Sequence, residues 1–116
     1  MTTRNQRRHD RINSLNLLNY VQLDENDNAV FQGMGRTLNV SESGILLETH
    51  VPLELNKMVL LTIGLEEDLV DIKGEVVHSK SGKEERYEAG IRFTELDETA
   101  QQILAIYVKI FRETED

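Results

Sequence analysis

The chain has 116 residues, 39% hydrophobic and 29% charged, with no cysteine and a net charge of −8. That length supports one core but not two, and without cysteine there is no disulfide or thiolate chemistry, which fits a reducing, cytoplasmic setting. An apolar leader and a membrane-length apolar run are both missing, so no signal peptide or inserted span is expected, and the acidic balance opposes general binding to DNA or RNA.

Charge is unevenly distributed along the chain. Residues 1–11 carry Arg4, Arg7, Arg8 and Arg11 against Asp10, a net +3, which leaves −11 on residues 12–116. A basic segment on an acidic body suits a small, compact anion better than a long polyanion. Residues 1–12 have neither strand nor helical period and read as a flexible basic arm. Residues 13–116 read as a single domain with no output domain attached.

In the first expected strand Leu15, Leu17, Val21 and Leu23 share one parity and Tyr20 the other. Asp24-Glu25-Asn26-Asp27-Asn28 is a dense turn signal. The second strand runs from Ala29 to Val40. There Val30, Met34, Leu38 and Val40 keep one parity, which sends Asn39 and Ser41 together to the outer face. Gly33 and Gly35 mark a bend or bulge and lack the third glycine of a dinucleotide fingerprint. Ser41-Glu42-Ser43-Gly44 then turns the chain, with Gly44 free to adopt a left-handed conformation or to let a ligand approach the backbone.

Ile45 to Thr49 forms a third strand, 53–57 a connection, and the nearly continuous apolar run Met58 to Leu65 a fourth strand covered on both faces. Val70, Ile72, Gly74 and Val76 point inward from the fifth, with His78 on the same parity. Tyr87, Ala89, Ile91 and Phe93 do so from the sixth. Six short strands on hairpin-length loops predict a mainly β protein, a six-stranded antiparallel β-barrel. From about 97 to 113 the period becomes helical, with Asp97 as cap, giving a C-terminal α-helix. Ile106 and Ile110 widen its apolar stripe, so the helix is either deeply seated or meets a second subunit, as in a homodimer, or another protein.

Arg7-x-x-x-Arg11, followed by Asn39-x-Ser41-x-x-Gly44 with a strand pair between, resembles the signature of the PilZ domain family of bacterial cyclic di-GMP receptors. The resemblance runs over nearly the whole chain and implies a PilZ-like barrel. It further implies that Arg7 and Arg11 grip guanine edges and phosphates, that Asn39 pairs with a guanine edge, that Ser41 bonds a phosphate and that Gly44 keeps the turn close. Arg8 is a supplementary clamp and outward Arg92 a further candidate. Asn39 stands where the family often has aspartate, and either side chain addresses guanine. Arginine suits these targets because its planar fork matches both guanine O6/N7 and phosphate oxygens.

Catalysis is not expected. His9, His50 and His78 are scattered, without metal-ligand spacing, and neither a Gly-x-Ser-x-Gly elbow nor a Walker loop occurs, so no metal or cofactor is called for. Two readings of the family likeness remain. In one the chain is a cyclic di-GMP effector that presents a changed surface to a protein partner, in control of motility, biofilm or exopolysaccharide. In the other it is a non-ligand-binding interaction module of pilus, flagellar or secretion machinery.

Overall fold

A computed structural model describes residues 17–65 and 68–114. The strands are β1 (Leu17–Leu23), β2 (Ala29–Val40), β3 (Gly44–Thr49), β4 (Met58–Leu65), β5 (Asp68–Ser81) and β6 (Tyr87–Glu95), and the helix is α1 (Glu98–Thr114). They close in the order β1-β2-β3-β6-β5-β4, with β4 returning to β1 and every pairing antiparallel. The six-stranded barrel and its C-terminal helix are those the periodicities predict.

The inward faces of β1 and β2 differ from expectation. On β1 the core takes Leu18 and Tyr20, while Leu17 is 51% exposed and Val21 is only half-buried. Leu23 is buried too, next to a register shift in which Val30 of β2 is passed over between the Gln22 and Leu23 pairings. On β2, Gly35, Thr37 and Val40 are buried, whereas Val30 and Met34 are exposed. The cause is a bulge at Leu38: Thr37 faces Leu47 and Asn39 faces Leu46, so Leu38 has no partner and the parity switches. Val30 and Met34 therefore point outward and Val40 inward on a single strand.

Gly33 and Gly35 pair in unbroken register with Tyr20 and Leu18, so the bulge expected there lies at Leu38 instead. A Cβ on Gly33 would come within 2.9 Å of the Tyr20 hydroxyl. Glycine at this position leaves room for the ring of Tyr20, one of the largest fully buried side chains.

The connection from β3 to β4 is no hairpin, since those strands are not neighbours in the barrel. It carries Leu53 into the core at 2% exposure and is tied to β5 by Asn56 N–H donating to the Val76 carbonyl (2.8 Å) and Val76 N–H to that of Lys57 (2.9 Å). Asp97 caps α1 as expected, its Oδ1 accepting from Ala100 N–H at 2.8 Å. Ala100, Leu104, Tyr107, Val108 and Phe111 bury the inner face of α1, and Ile110 packs on the core. Ile106 alone of the widened stripe stays mostly exposed, at 52%.

Two features set local energies. Tyr107 Oη and Thr37 Oγ1 lie 2.9 Å apart in a buried hydrogen bond that ties α1 to β2. Burial pushes the Tyr107 phenol above its ordinary pKa, with the Thr37 bond opposing in part, and burial raises Tyr20 as well. In the β5–β6 connection Arg86 N–H donates to the Lys83 carbonyl at 3.0 Å. The two central residues, Glu84 (φ 56) and Glu85 (φ 62), both adopt left-handed conformations. That is a type I′ turn built without the asparagine or glycine it favours.

Tyr107→Phe is expected to leave the Thr37 hydroxyl unpaired and to cost about 1–2 kcal/mol in urea unfolding. A phenol whose folded pKa is raised adds stability that is complete below the unfolded value near 10 and is lost as pH rises through the folded value. Unfolding free energy should therefore fall above about pH 10, and less steeply in Tyr107→Phe. Glu84→Asn combined with Glu85→Gly is expected to stabilise the fold by on the order of 1 kcal/mol, read as a higher Tm.

Candidate functional site

The Leu38 bulge decides what β2 presents at its end. After it, Val40 drops into the core and Asn39 is left exposed on the outer wall, with Ser41 half-buried beside it. Asn39 Oδ1 accepts from Val40 N–H at 2.9 Å. Its side-chain amide nitrogen, with two N–H donors, has no partner among the described residues.

Ser41 organises the turn that follows. Its Oγ accepts from the N–H groups of Ser43 and Gly44, each at 3.2 Å, and lies 3.1 Å from Ser43 Oγ. Ser41 N–H donates to the Gly44 carbonyl at 2.8 Å, and Phe93 N–H to the Ser43 carbonyl at 2.9 Å, which pins the turn against β6. Two hydroxyls are thus held side by side with the backbone around them satisfied.

Gly44 is not left-handed, contrary to one expectation: no glycine among the described residues has a positive φ. A Cβ there would lie 2.6 Å from the Ile91 carbonyl oxygen. Its small size therefore serves the close approach of β6, to which Gly44 pairs opposite Arg92. The backbone that comes near is the protein's own.

Asn39, Ser41, Ser43 and Gly44 border one surface hollow of about 310 Å³, closed on its far side by Val77, Gly90 and Arg92. Of the residues expected from the sequence, Asn39, Ser41, Gly44 and Arg92 are brought together here. Arg7, Arg8 and Arg11 lie outside the described residues. Arg92 is aimed by Glu75, whose Oε1 accepts from its Nη2 at 2.7 Å.

Sequence reasoning passed over Ser43, Val77 and Gly90. Val77 sits on a second bulge, where Val76 faces Ile91 and His78 faces Gly90. That shift exposes His78, which was expected on the inward parity, while Val77 keeps its outward place and borders the hollow. Two adjacent valines in an otherwise alternating strand were its only signal.

Chemically the hollow offers amide donors from Asn39, two hydroxyls, one guanidinium and an apolar floor. Such a set is chemically matched to an anion that carries a planar, acceptor-rich edge. Among the described residues no group of histidines and carboxylates is placed to hold a metal ion, and no helix is long and apolar enough to cross a membrane.

No curated protein sequence matches the chain. The structure is similar to MotI/DgrA, the inhibitor of motility of Bacillus subtilis, with TM-score 0.63 and 19% identity over 86% of this chain and 48% of that one. It is similar also to the PilZ domain of YcgR from Escherichia coli, determined with c-di-GMP (TM-score 0.61, 12% identity, 85% of this chain and 84% of that one). A third likeness is to MrkH of K. pneumonia, a c-di-GMP dependence transcription regulatory factor (0.57, 15%, 84% and 47%). The chain spans about half the length of MotI/DgrA and MrkH. A model of the PilZ domain matches residues 5–109, almost the full length and both halves of the arginine and Asn-x-Ser-x-x-Gly pattern, and the chain belongs to the PilZ domain family.

Proposed function

We propose that this protein is a cyclic di-GMP-binding effector without catalytic activity, in which the arm carrying Arg7, Arg8 and Arg11 folds over the hollow and clasps the ligand against Asn39, Ser41 and Gly44. The observation that carries the reading is the meeting of Asn39, Ser41 and Arg92 around one concavity on the barrel wall. Asn39 keeps its amide donors for an acceptor edge such as guanine O6/N7, because its oxygen is already held by Val40 N–H. The paired hydroxyls of Ser41 and Ser43 suit a phosphate oxygen.

Chain connectivity supports the clasp. Leu17, the first residue of β1, pairs with Arg36, three residues before Asn39, a step of about 10 Å along the strand. Six residue steps lead from Arg11 to Leu17, a contour of about 20 Å, so its guanidinium can reach the hollow. Closing the arm adds a basic face to an acidic barrel. That change of surface is what a protein partner would read, in control of motility, biofilm or exopolysaccharide. The YcgR domain, similar in fold and determined with c-di-GMP, lends further support.

Calorimetric titration with cyclic di-GMP tests the reading: saturable binding is expected, with a stoichiometry of one or two ligands per chain. Arg7→Ala and Arg11→Ala should each weaken binding about tenfold or more, each bidentate contact being worth about 1–3 kcal/mol, while the Tm of the empty protein stays unchanged. Wild-type affinity in Arg11→Ala would refute the clasp, and no heat at all with the wild type would leave a ligand-independent interaction module. Gly44→Ala should behave differently, pushing β3 off β6. A loss of roughly 1–3 kcal/mol of stability together with weaker ligand binding is expected.

A further inference from the structure

At the other end of β3 lies a second hollow, of about 180 Å³, bordered by Leu17, Met34, Arg36, Glu48, His50 and Arg86. Arg36 and Glu48 are cross-strand partners. Arg36 Nε and Arg86 Nη1 both bond the same carboxylate oxygen, Glu48 Oε1, at 3.3 and 3.2 Å. Glu48 is only 15% exposed, so it acts as a fixed post for two more exposed guanidinium groups. Each arginine spends one nitrogen on that post, and their remaining N–H groups have no partner among the described residues. With two arginines against one glutamate, the hollow keeps a surplus positive charge on a body that is strongly acidic.

Its other walls include two long aliphatic side chains. Leu17 and Met34 are each more than half exposed and border the same hollow. Arg86 is delivered there by the turn in which Glu84 and Glu85 are both left-handed. Strain of this kind is retained where it fixes the position of a side chain that is used. Glu84 and Glu85 themselves do not border the hollow.

We propose that this hollow docks an acidic segment of a protein partner, one carboxylate received by the open forks of Arg36 and Arg86 and a neighbouring apolar side chain laid on Leu17 and Met34. A carboxylate matches the guanidinium fork in shape and charge, and arginine beside exposed aliphatic surface is a common core of protein interfaces. A bare inorganic anion would leave Leu17 and Met34 without use. The inference stands whether or not the hollow at Asn39 takes a cyclic dinucleotide.

The test is titration of the ¹⁵N-labelled full chain with the peptide acetyl-Leu-Glu-Leu-Glu-amide, followed by amide chemical shifts. Saturable shifts at Leu17, Met34, Arg36 and Arg86 are expected, with little response to acetyl-Leu-Gln-Leu-Gln-amide. Arg86→Gln leaves Arg36 to hold Glu48, and should weaken peptide binding about tenfold with Tm preserved; Arg86→Lys, which keeps the charge but loses the fork, should restore it only in part. Equal response to the glutamine peptide, unaltered binding in Arg86→Gln, or shifts confined to Asn39–Gly44 would overturn the proposal. So would inorganic phosphate reproducing the peptide's shifts, because the hollow would then read an anion and not a peptide.

Discussion

One unpaired residue, Leu38, governs how the outer wall is furnished. A strand without it would have to choose between burying Thr37 and burying Val40, since residues three apart face opposite sides. The bulge lets both go inward. Thr37 thereby meets Tyr107 and anchors α1, while Val40 seals the core under the turn. Asn39, between them in sequence, is the residue left outside. Helix attachment and the outward placement of the Asn39 amide thus depend on the same irregularity, and regularising β2 would damage both.

The fold class was legible because it rests on period. The strand boundaries of β2 and β4, the inward row of β6, that of β5 as far as Val76 and the Asp97 cap all follow from local pattern, and each is observed. Parity on β1 and β2 was not legible. A period-two reading assumes every residue has a partner, and Leu38 and the Gln22–Leu23 shift break that assumption without any marker such as glycine. The glycines that suggested a bulge answer to Tyr20 instead, a partner 13 residues away from Gly33. Leu53 was hidden in the same way, as a core residue inside a segment that reads as a connection.

The site was half legible. The motif resemblance assembled Asn39, Ser41 and Gly44, yet the reason for Gly44 lies in Ile91, 47 positions later, which no local pattern reveals. Arg92 reaches the hollow because β6, not β4, lies beside β3. The order of strands around the barrel therefore did what composition could not, setting an acidic post, two guanidinium groups and an apolar lip at one end of β3 and the hydroxyl turn at the other. A six-residue strand separates the two.

Closure of the sheet has a consequence for recruitment. Each described strand has a neighbour on both sides, but not along its whole length: β2 pairs with β1 from Ala29 to Arg36 and with β3 only from Arg36 to Val40, so a foreign strand would find main-chain groups to pair with only on overhanging stretches such as Ala29–Gly35. Many signalling domains gain affinity cheaply by that route, through sequence-blind amide ladders. This barrel offers such a ladder only on those overhangs, and over the rest of its wall recognition falls to outward-facing side chains.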